Sequence, residues 1–416
     1  MVGAFAFVSY VQRMNISVAA ELMMPDLGLT KIQMGHIFSS FLIGYAIFQV
    51  PAGRRGDTIG PRKTLAVAAL LWGAMTFLTG LLPRLLVGGF SAFAGFAILR
   101  FVLGAAEAAT FPVGSRVIRN WMPPSERALG NAFMMAGSSS AAAVTSPLVS
   151  WLMLRCGWRS TFYFTSIFAF GMAAVWYWDA TNYPDEHRRV SAAELELIRR
   201  PRQQRSSEAM GKRQSLVTLL RDRNILFLAL SYTCEGYLLF IFVFWLYIYL
   251  VEVRGFSLLK GGFIASLPWI TALVCTPLGG FVCDRISAKR GRIAGARAVI
   301  MLGYGLSGLL LLAAAKVDNR AVAVGALCVS VGGLYFAEPA FWATAVHLSR
   351  ENAGAASGIM NTAGIVGGIA STSIIPTMVK NFGWLFALSS GAAAAIACTF
   401  AWFAIGARQL AASEED

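Results

Sequence analysis

Two arginines lie near the middle of apolar stretches that are long enough to cross a bilayer. Arg13 lies within GAFAFVSYVQRMNISVAAEL, and Arg100 lies within GGFSAFAGFAILRFVLGAAEAATF. A guanidinium at mid-depth in a bilayer costs at least ~3 kcal/mol on insertion-derived scales, and it keeps its proton in proteins. Both side chains must therefore face a protein interior or a wet cavity. Two such cations with few fixed acids nearby indicate a cavity that receives an anion.

Glu107 follows Arg100 by seven residues, so the two side chains share one helix face about 10 Å apart along the axis. That separation is too long for direct pairing, but it permits coupling through water or substrate. The charges of Arg13, Arg100 and Glu107 sum to +1 when Glu107 is ionised and to +2 when it is protonated. Protonation therefore strengthens anion binding, as expected of a proton–anion symporter. Two plainer interpretations stay open: the arginines clamp backbone carbonyls, or Glu107 only neutralises one of them.

The composition is that of a membrane protein. Hydrophobic residues make up 57% of the 416 residues and charged residues only 13%, against about 25% charged residues in a soluble domain. The net charge of +14 comes mostly from short loops and one polar segment, which fits membrane orientation rather than a nucleic-acid interface. The six cysteines form no CxxC pair, so they are interpreted as small core residues, and no metal or other cofactor is expected.

Twelve apolar segments have the length of a membrane span and must be helical within the bilayer. They are roughly 2–24, 32–54, 64–83, 88–112, 129–153, 159–179, 224–252, 258–282, 294–315, 321–346, 354–378 and 384–406. The segment 180–222 is polar and charged, and Ser191 with Glu194 predicts a capping box before a short helix. The pattern predicts an N-terminal six-helix half (1–179), a cytoplasmic linker (180–222) and a C-terminal six-helix half (223–416).

The two halves repeat in sequence. Asp57 and Asp284, each preceded four residues earlier by glycine and followed by basic residues, are 227 residues apart. Gly157-Trp158 recurs as Gly383-Trp384 after 226 residues, and Glu107 is echoed by Glu338 after 231. Three nearly equal offsets predict the tandem plan of a secondary transporter.

Basic residues predict the orientation of the spans. They concentrate after spans 2, 4 and 8, whereas the alternate loops hold only one or two each. The basic residues of the three loops are Arg54, Arg55, Arg62, Lys63, Arg116, Arg119, Arg127, Arg285, Lys289, Arg290 and Arg292. Because cytoplasmic loops carry the excess of Lys and Arg, both termini and the linker are expected in the cytoplasm.

The loop after span 2 resembles the signature of the major facilitator superfamily. Its residues are Gly53, Asp57, Gly60, Arg62 and Lys63. YVQRMNISVA in span 1 and RFVLGAAEAATFP in span 4 are similar to the anion:cation symporter family. That family includes sialin, the vesicular glutamate transporters and bacterial galactonate, hexuronate and glucarate importers. The resemblance covers the whole chain.

The resemblance implies roles for several residues. Arg13, Arg100 and Glu107 match residues that handle substrate and protons, and Tyr45 matches a tyrosine near the substrate. It also implies a charge network that latches the halves on the cytoplasmic side; its members here are Asp57, Arg62, Asp284 and Arg285. Many bacterial sugar-acid importers carry an aspartate immediately before the span 1 arginine, whereas this chain has Gln12. Fewer acids are therefore left to carry a proton.

Further polar residues in the spans are candidates for substrate or proton handling. Ser138 and Asn361 are predicted to bind substrate hydroxyls, with helix-packing hydrogen bonds as the equal alternative. Glu235, Glu338 and His36 are candidate proton carriers. The acids are equally suited to holding helices together, and a lone membrane histidine is more often a hydrogen-bonded interior residue.

These observations predict an all-α membrane protein with the major facilitator fold that acts as a secondary active transporter. The expected cargo is an organic anion, a sugar acid or related carboxylate, moved by proton-coupled symport and alternating access. Alternatives are a neutral-sugar or drug transporter of the same superfamily, or an anion exchanger or uniporter without proton coupling. The three histidines are widely scattered, so no enzyme active site is expected. The expected partners are the anion, the proton and the lipid of a bacterial inner membrane, with no nucleic acid, and the protein is expected to be a monomer.

Overall fold

The computed structural model describes residues 1–85, 91–123, 126–205, 219, 221–348 and 353–405. Regular structure in these ranges is helical, and no strand occurs in them. The chain forms two compact units, Met1–Met210 and Gly211–Asp416. The unit boundary falls within the predicted linker, of which residues 206–218 and 220 lie outside the described part.

Unit 1 contains seven long helices and one helix of the linker. They are α1 (Val2–Leu27), α2 (Lys31–Thr58), α3 (Pro61–Leu85), α4 (Ala92–Glu107), α5 (Thr110–Trp121), α6 (Arg127–Cys156), α7 (Trp158–Asp179) and α8 (Ala192–Arg205). The predicted start of α8 is confirmed, since the Ser191 hydroxyl accepts a hydrogen bond from the backbone N–H of Glu194 at 3.2 Å.

Unit 2 contains α9 (Arg223–Glu252), α10 (Leu258–Arg290), α11 (Arg292–Lys316) and α12 (Arg320–Leu348), followed by the helical stretch Ala353–Ala404. That stretch is interrupted at Gly383, whose φ of 81° and ψ of 173° are not helical. It is therefore two helices, α13 (353–382) and α14 (384–404).

The repeated Gly-Trp pair marks the same junction in both units. Gly157, between α6 and α7, has φ 78°, and Gly383, between α13 and α14, has φ 81°. Only glycine adopts such a backbone angle without a steric cost, so it allows two helices to join with no intervening loop.

The predicted twelve spans are confirmed. Nine helices in the described ranges have both the length and the hydropathy of a membrane span, and one of them, Gly354–Ala404, contains the two helices joined at Gly383. The remaining two spans are α1 and α7, which are 26 and 22 residues long but less apolar. In α1 the polar residues Gln12, Arg13 and Asn15 interrupt the apolar stretch.

The fourth predicted span is divided in the structure. α4 ends at Glu107 and α5 begins at Thr110, within one apolar stretch from Ala92 to Trp121. Pro112 explains the division, because proline has no N–H to bond the carbonyl of Ala108 and its ring crowds that carbonyl. Glu107 therefore lies at a helix end.

Close helix contacts hold the elements that carry the charged residues. In unit 1, α2 packs on α4, and α1 packs on α6 and α7. A Cβ added to Gly104 of α4 would clash with the carbonyl oxygen of Phe41 of α2. A Cβ added to Gly44 would likewise clash with the carbonyl oxygen of Phe101. The two backbones are thus in contact one turn from Arg100, which places the side chains of α2 beside it.

Close approaches through glycine also occur in α6 and α13. Gly137 of α6 faces the carbonyl of Gly3 in α1, and Gly367 of α13 faces the carbonyl of Thr233 in α9. The equivalent helices of the two units are therefore packed through glycine in the same manner.

Candidate functional site

A buried ion pair joins α1 to the end of α4. The Arg13 guanidinium donates from Nε and Nη2 to Oε2 of Glu107, at 3.2 and 3.1 Å. The arginine side chain is 7% exposed and the glutamate side chain is fully buried. Both groups are thus removed from water, and each depends on the other for compensation of its charge.

Three aromatic rings surround the Arg13 guanidinium. Its Cζ lies 4.5 Å from the ring centroid of Tyr10, 5.1 Å from that of Phe41 and 4.9 Å from that of Tyr45. Rings at such distances attract a cation through their electron-rich faces. The predicted substrate residue Tyr45 therefore lies at the arginine, where its ring helps to hold the charge in place.

Arg100 binds backbone rather than Glu107. Its Nη2 donates to the carbonyl of Arg13 at 2.8 Å, and its Nη1 donates to the carbonyl of Gln12 at 3.2 Å. The residue is 1% exposed, and its Cζ lies 5.3 Å from the ring centroid of Phe41. Arg100 thus clamps backbone carbonyls, as one of the two plainer interpretations proposed. These contacts also agree with the expectation that Arg100 and Glu107 do not pair directly.

The side chain of Gln12 ties α1 to α7. Its Nε2 donates to the carbonyl of Thr165 at 2.5 Å, and the Asn15 amide donates to the Thr165 hydroxyl at 3.1 Å. Both amides are fully buried. Gln12 therefore uses its N–H group as a helix-packing donor, which a carboxylate at the same position is unable to supply.

The cluster of Arg13, Arg100 and Glu107 carries a net charge of +1 when all three groups are ionised. Within it, Nε of Arg100 is buried and has no hydrogen-bond partner among the described residues, and the same holds for Oε1 of the neighbouring Gln12. An uncompensated cation in an apolar interior is costly unless an anion neutralises it. The chemistry that this arrangement supports is the binding of a small anion.

Unit 2 contains two buried acids in a different setting. The Glu338 carboxylate, on α12, accepts hydrogen bonds from the Tyr232 hydroxyl and from the Trp342 indole N–H, both at 2.7 Å and both on Oε1. Glu235, on α9, is 2% exposed, and its Oε1 has no hydrogen-bond partner in the described residues. The charged group that acts on Glu235 among these residues is Glu338. Glu338 thus repeats the sequence position of Glu107 but is paired with neutral donors.

The contacts described above involve none of the remaining predicted site residues. Ser138 is buried, and its hydroxyl donates to the carbonyl of Met134 in its own helix at 3.2 Å. Asn361 is half-buried on α13, and the His36 side chain is exposed on α2. The described residues contain no group of three His, Cys, Asp or Glu side chains that could hold a metal ion.

The predicted gating residues make contacts within their own units. Asp57, at the end of α2, forms an ion pair with Arg116 of α5. Arg62 donates from Nε and Nη2 to the carbonyl of Tyr177, at 2.9 and 2.7 Å, and so caps the end of α7. In unit 2, Asp284 is exposed and the Arg285 guanidinium lies 5.3 Å from the ring centroid of Phe281.

Sequence reasoning missed the aromatic partners of the charged residues. Tyr10 precedes Arg13 by three residues and Phe41 precedes Tyr45 by four, so each pair shares a helix face. The same spacing relates Tyr232 to Glu235 and Trp342 to Glu338. An aromatic residue three or four positions from a membrane charge is the signal that would have found Tyr10 and Trp342. That signal does not assign Phe41 and Tyr232, which contact charges on other helices.

The buried ion pair predicts a strong energetic coupling between its two residues. Arg13→Ala leaves Glu107 buried beside no direct cation partner, so we expect it to lower the free energy of unfolding by about 3–5 kcal/mol. Adding Glu107→Gln removes the unpaired charge, so the double variant should be more stable than the sum of the single losses by about 1–3 kcal/mol. Thermal unfolding of the purified protein in detergent, without added acid, measures the cycle.

The exposed pair of Arg159 and Asp26, at 2.9 Å, is the matched control. Arg159→Ala and Asp26→Asn should show a coupling below about 1 kcal/mol because water screens the pair. Additive losses at Arg13 and Glu107 would contradict the assigned interaction.

Comparison with known proteins identifies the family. The model of the Major Facilitator Superfamily matches residues 2–372. A probable sulfoacetate transporter of Cupriavidus necator is 31% identical over 388 residues, which cover 91% of this chain and 85% of the relative. A probable galactarate/D-glucarate transporter of Bacillus subtilis is 31% identical (90% and 84% covered), and a hexuronate transporter of the same organism is 29% identical (93% and 89%).

The fold is similar to that of a solved transporter. A bacterial homolog of the human lysosomal transporter Spinster, in an inward-facing and occupied conformation, superposes with a TM-score of 0.73. The match covers 97% of this chain and 94% of that one at 14% identity, so it bears on the fold alone. Together with the family match, the helical spans establish that this chain is a multi-pass membrane transporter of the Major Facilitator Superfamily and not an enzyme.

Proposed function

We propose that the protein carries a small organic carboxylate, a sugar acid or a related anion, across the bacterial cell membrane by proton-coupled alternating access. The observation that carries the proposal is the buried cluster of two guanidiniums and one carboxylate in unit 1. Its net positive charge matches an anionic cargo and is unsuited to a neutral sugar or an apolar drug. The printed names of the related proteins, which concern sulfoacetate, galactarate, glucarate and hexuronate, support the same class of cargo.

The geometry supports competition for Arg13 as the link between cargo and proton. Arg13 directs two N–H groups to Oε2 of Glu107, and the same fork can take a carboxylate of the cargo. A proton on Glu107 removes the charge that holds the guanidinium and so releases it for the anion. Deprotonation restores the internal pair and favours release of the anion. Proton and anion binding are thereby coupled in the same direction.

The distribution of basic residues supports an orientation with both termini and the linker 180–222 in the cytoplasm. The ends of α2 and α10 that carry the repeated aspartates lie on that side in this arrangement. We assign Asp57, Arg62, Asp284 and Arg285 to the control of the cytoplasmic opening. The tie of Asp57 to Arg116 and the cap that Arg62 forms on α7 fasten the cytoplasmic ends of α2, α5 and α7 to one another.

Ligand charge tests the proposed cargo. Galactonate, glucuronate and sulfoacetate should raise the melting temperature of the purified protein, whereas galactose, which keeps the hydroxyls but lacks a carboxylate, should not. Arg13→Ala should abolish uptake and the stabilisation, since the loss of a bidentate carboxylate contact costs about 1.5–3 kcal/mol or more. Arg13→Lys should also fail, because an ammonium does not reproduce the planar fork. Stabilisation by galactose and not by the acids would favour a neutral-sugar carrier.

Replacement of Glu107 tests proton coupling. Glu107→Gln cannot bind or release a proton, so the stimulation of uptake into proteoliposomes by an imposed pH gradient should fall. Exchange of labelled for unlabelled acid should persist, because Arg13 remains available to the anion. If the wild type itself shows no stimulation by the gradient, the protein is an exchanger or uniporter. If the variant keeps full stimulation, another group carries the proton.

Access to a cysteine tests the assignment of Asp57. In a cysteine-free background, Ser138→Cys reports entry of an impermeant maleimide from the cytoplasmic face. Adding Asp57→Asn removes the charge that pairs with Arg116, so labelling should become faster by several-fold. Asp26→Asn is the control. It weakens the ion pair with Arg159, at the end of α1 assigned to the other membrane face, and should leave the labelling rate unchanged. Equal rates with and without Asp57→Asn would remove Asp57 from the gate.

A further inference from the structure

The two acids of unit 2 differ in the donors available to them. Glu338 receives an indole N–H and a tyrosine hydroxyl on a single oxygen. An indole nitrogen donates and never accepts, so Oε1 of Glu338 acts as an acceptor in this arrangement. Hydrogen bonds of this kind stabilise a carboxylate in its charged form.

Glu235 has no such support. It is 2% exposed, and no side chain or backbone N–H in the described residues donates to its Oε1. Its charged neighbour is Glu338, whose charge has the same sign. Oε2 of Glu338 likewise has no hydrogen-bond partner in the described residues, so Glu338 is distinguished by the two donors on its Oε1. Two interacting negative charges in an apolar interior are strongly unfavourable.

A third side chain points to the same place. The Tyr304 hydroxyl, on α11, is fully buried and has no hydrogen-bond partner in the described residues. It interacts electrostatically with both Glu235 and Glu338. A proton on Glu235 removes one of the two like charges and adds a second hydrogen-bond donor beside the Tyr304 hydroxyl.

In the part of the chain that the structure describes, the ionisable groups that act on the two acids include no cation. The neighbours are neutral tyrosines and thiols: Tyr232, Cys234, Tyr304 and Cys398. The charges of α10 lie near its two ends, Lys380 is the one charged residue of α13, and α14 has none. Arg297 of α11 lies two turns from Tyr304 and donates to the carbonyls of Trp402 and Ile405.

We propose that Glu235 and Glu338 form a second proton site, in which Glu235 carries the proton and Glu338 is the carboxylate held by Tyr232 and Trp342. This proposal rests on the proposed transport function and deepens it, because the protein then has one proton carrier in each unit. Glu107 responds to the anion because both compete for Arg13. Glu235 interacts with no cation among the described residues, so it can take up a proton independently of the anion. Each transport cycle can then move two protons.

A carbodiimide tests the assignment on the unmodified protein. Dicyclohexylcarbodiimide reacts with protonated carboxyls in apolar surroundings, and mass spectrometry of the digested protein locates the adduct. We expect an adduct on Glu235 that decreases several-fold as the pH is raised, with none on Glu338. Glu252 is the control, since it lies at the exposed end of the same helix and should stay unlabelled. An adduct on Glu338 in place of Glu235, or none on Glu235 at any pH, would overturn the proposal.

Two variants extend the test. Trp342→Phe removes the indole donor, so labelling should spread to Glu338; labelling confined to Glu235 would argue against the role given to Trp342. Glu235→Gln should reduce the ratio of uptake with a pH gradient to uptake without one, whereas Glu252→Gln should keep the wild-type ratio. An unchanged ratio in Glu235→Gln would exclude Glu235 from coupling.

Labelling requires no transported acid and therefore separates the two proposals. If no organic acid is transported but Glu235 is labelled as expected, the proposed cargo is wrong and the proton site stands. If acids are transported and Glu235 is not labelled, the proton site is wrong and the cargo stands.

Discussion

The need to compensate charge inside an apolar helix bundle governs the whole of unit 1. Arg13 and Glu107 neutralise each other, and Arg100 satisfies two of its donors on the backbone of α1. These contacts require α1, α2 and α4 to lie within side-chain reach at one depth. The contact between Gly104 and Phe41 brings α2 and α4 together at that depth. The glycine contacts therefore bring the helices close enough for the buried charges to be compensated.

The two units share a helix order but treat buried charge differently. Glu107 and Glu338 occupy repeated positions, yet the first meets a guanidinium and the second meets an indole and a phenol. An acid beside a cation responds to whatever competes for that cation, whereas an acid beside neutral donors responds chiefly to pH. The repeat thus supplies two corresponding helices, each with a buried glutamate, and the surrounding side chains give each glutamate its own chemistry.

The spans, their number and the charged residues followed from the sequence because apolar length and the cost of a membrane charge are local properties. The hydrogen-bond and ion-pair partners of the charged residues did not follow from the sequence, because they depend on how each helix is rotated about its axis. Spacing excluded a direct bond between Arg100 and Glu107, but it could not assign Glu107 to Arg13 or Arg100 to the carbonyls of α1. The same limit applies to Gln12, since only the packed helices show that its amide faces Thr165. Pro112 was the sequence signal for the division of the fourth span. Hydropathy did not indicate it, because the stretch from Ala92 to Trp121 is one apolar segment.

The interruption between Glu107 and Thr110 has a mechanical consequence. A continuous helix transmits a tilt along its full length, whereas a helix without the bond from residue 112 to residue 108 bends there at low cost. α4 is held against α2 by glycine packing, and α5 carries Arg116 beyond the interruption. The interruption allows α5 to tilt while α4 stays in place. The ion pair between Arg13 and Glu107 then keeps its geometry.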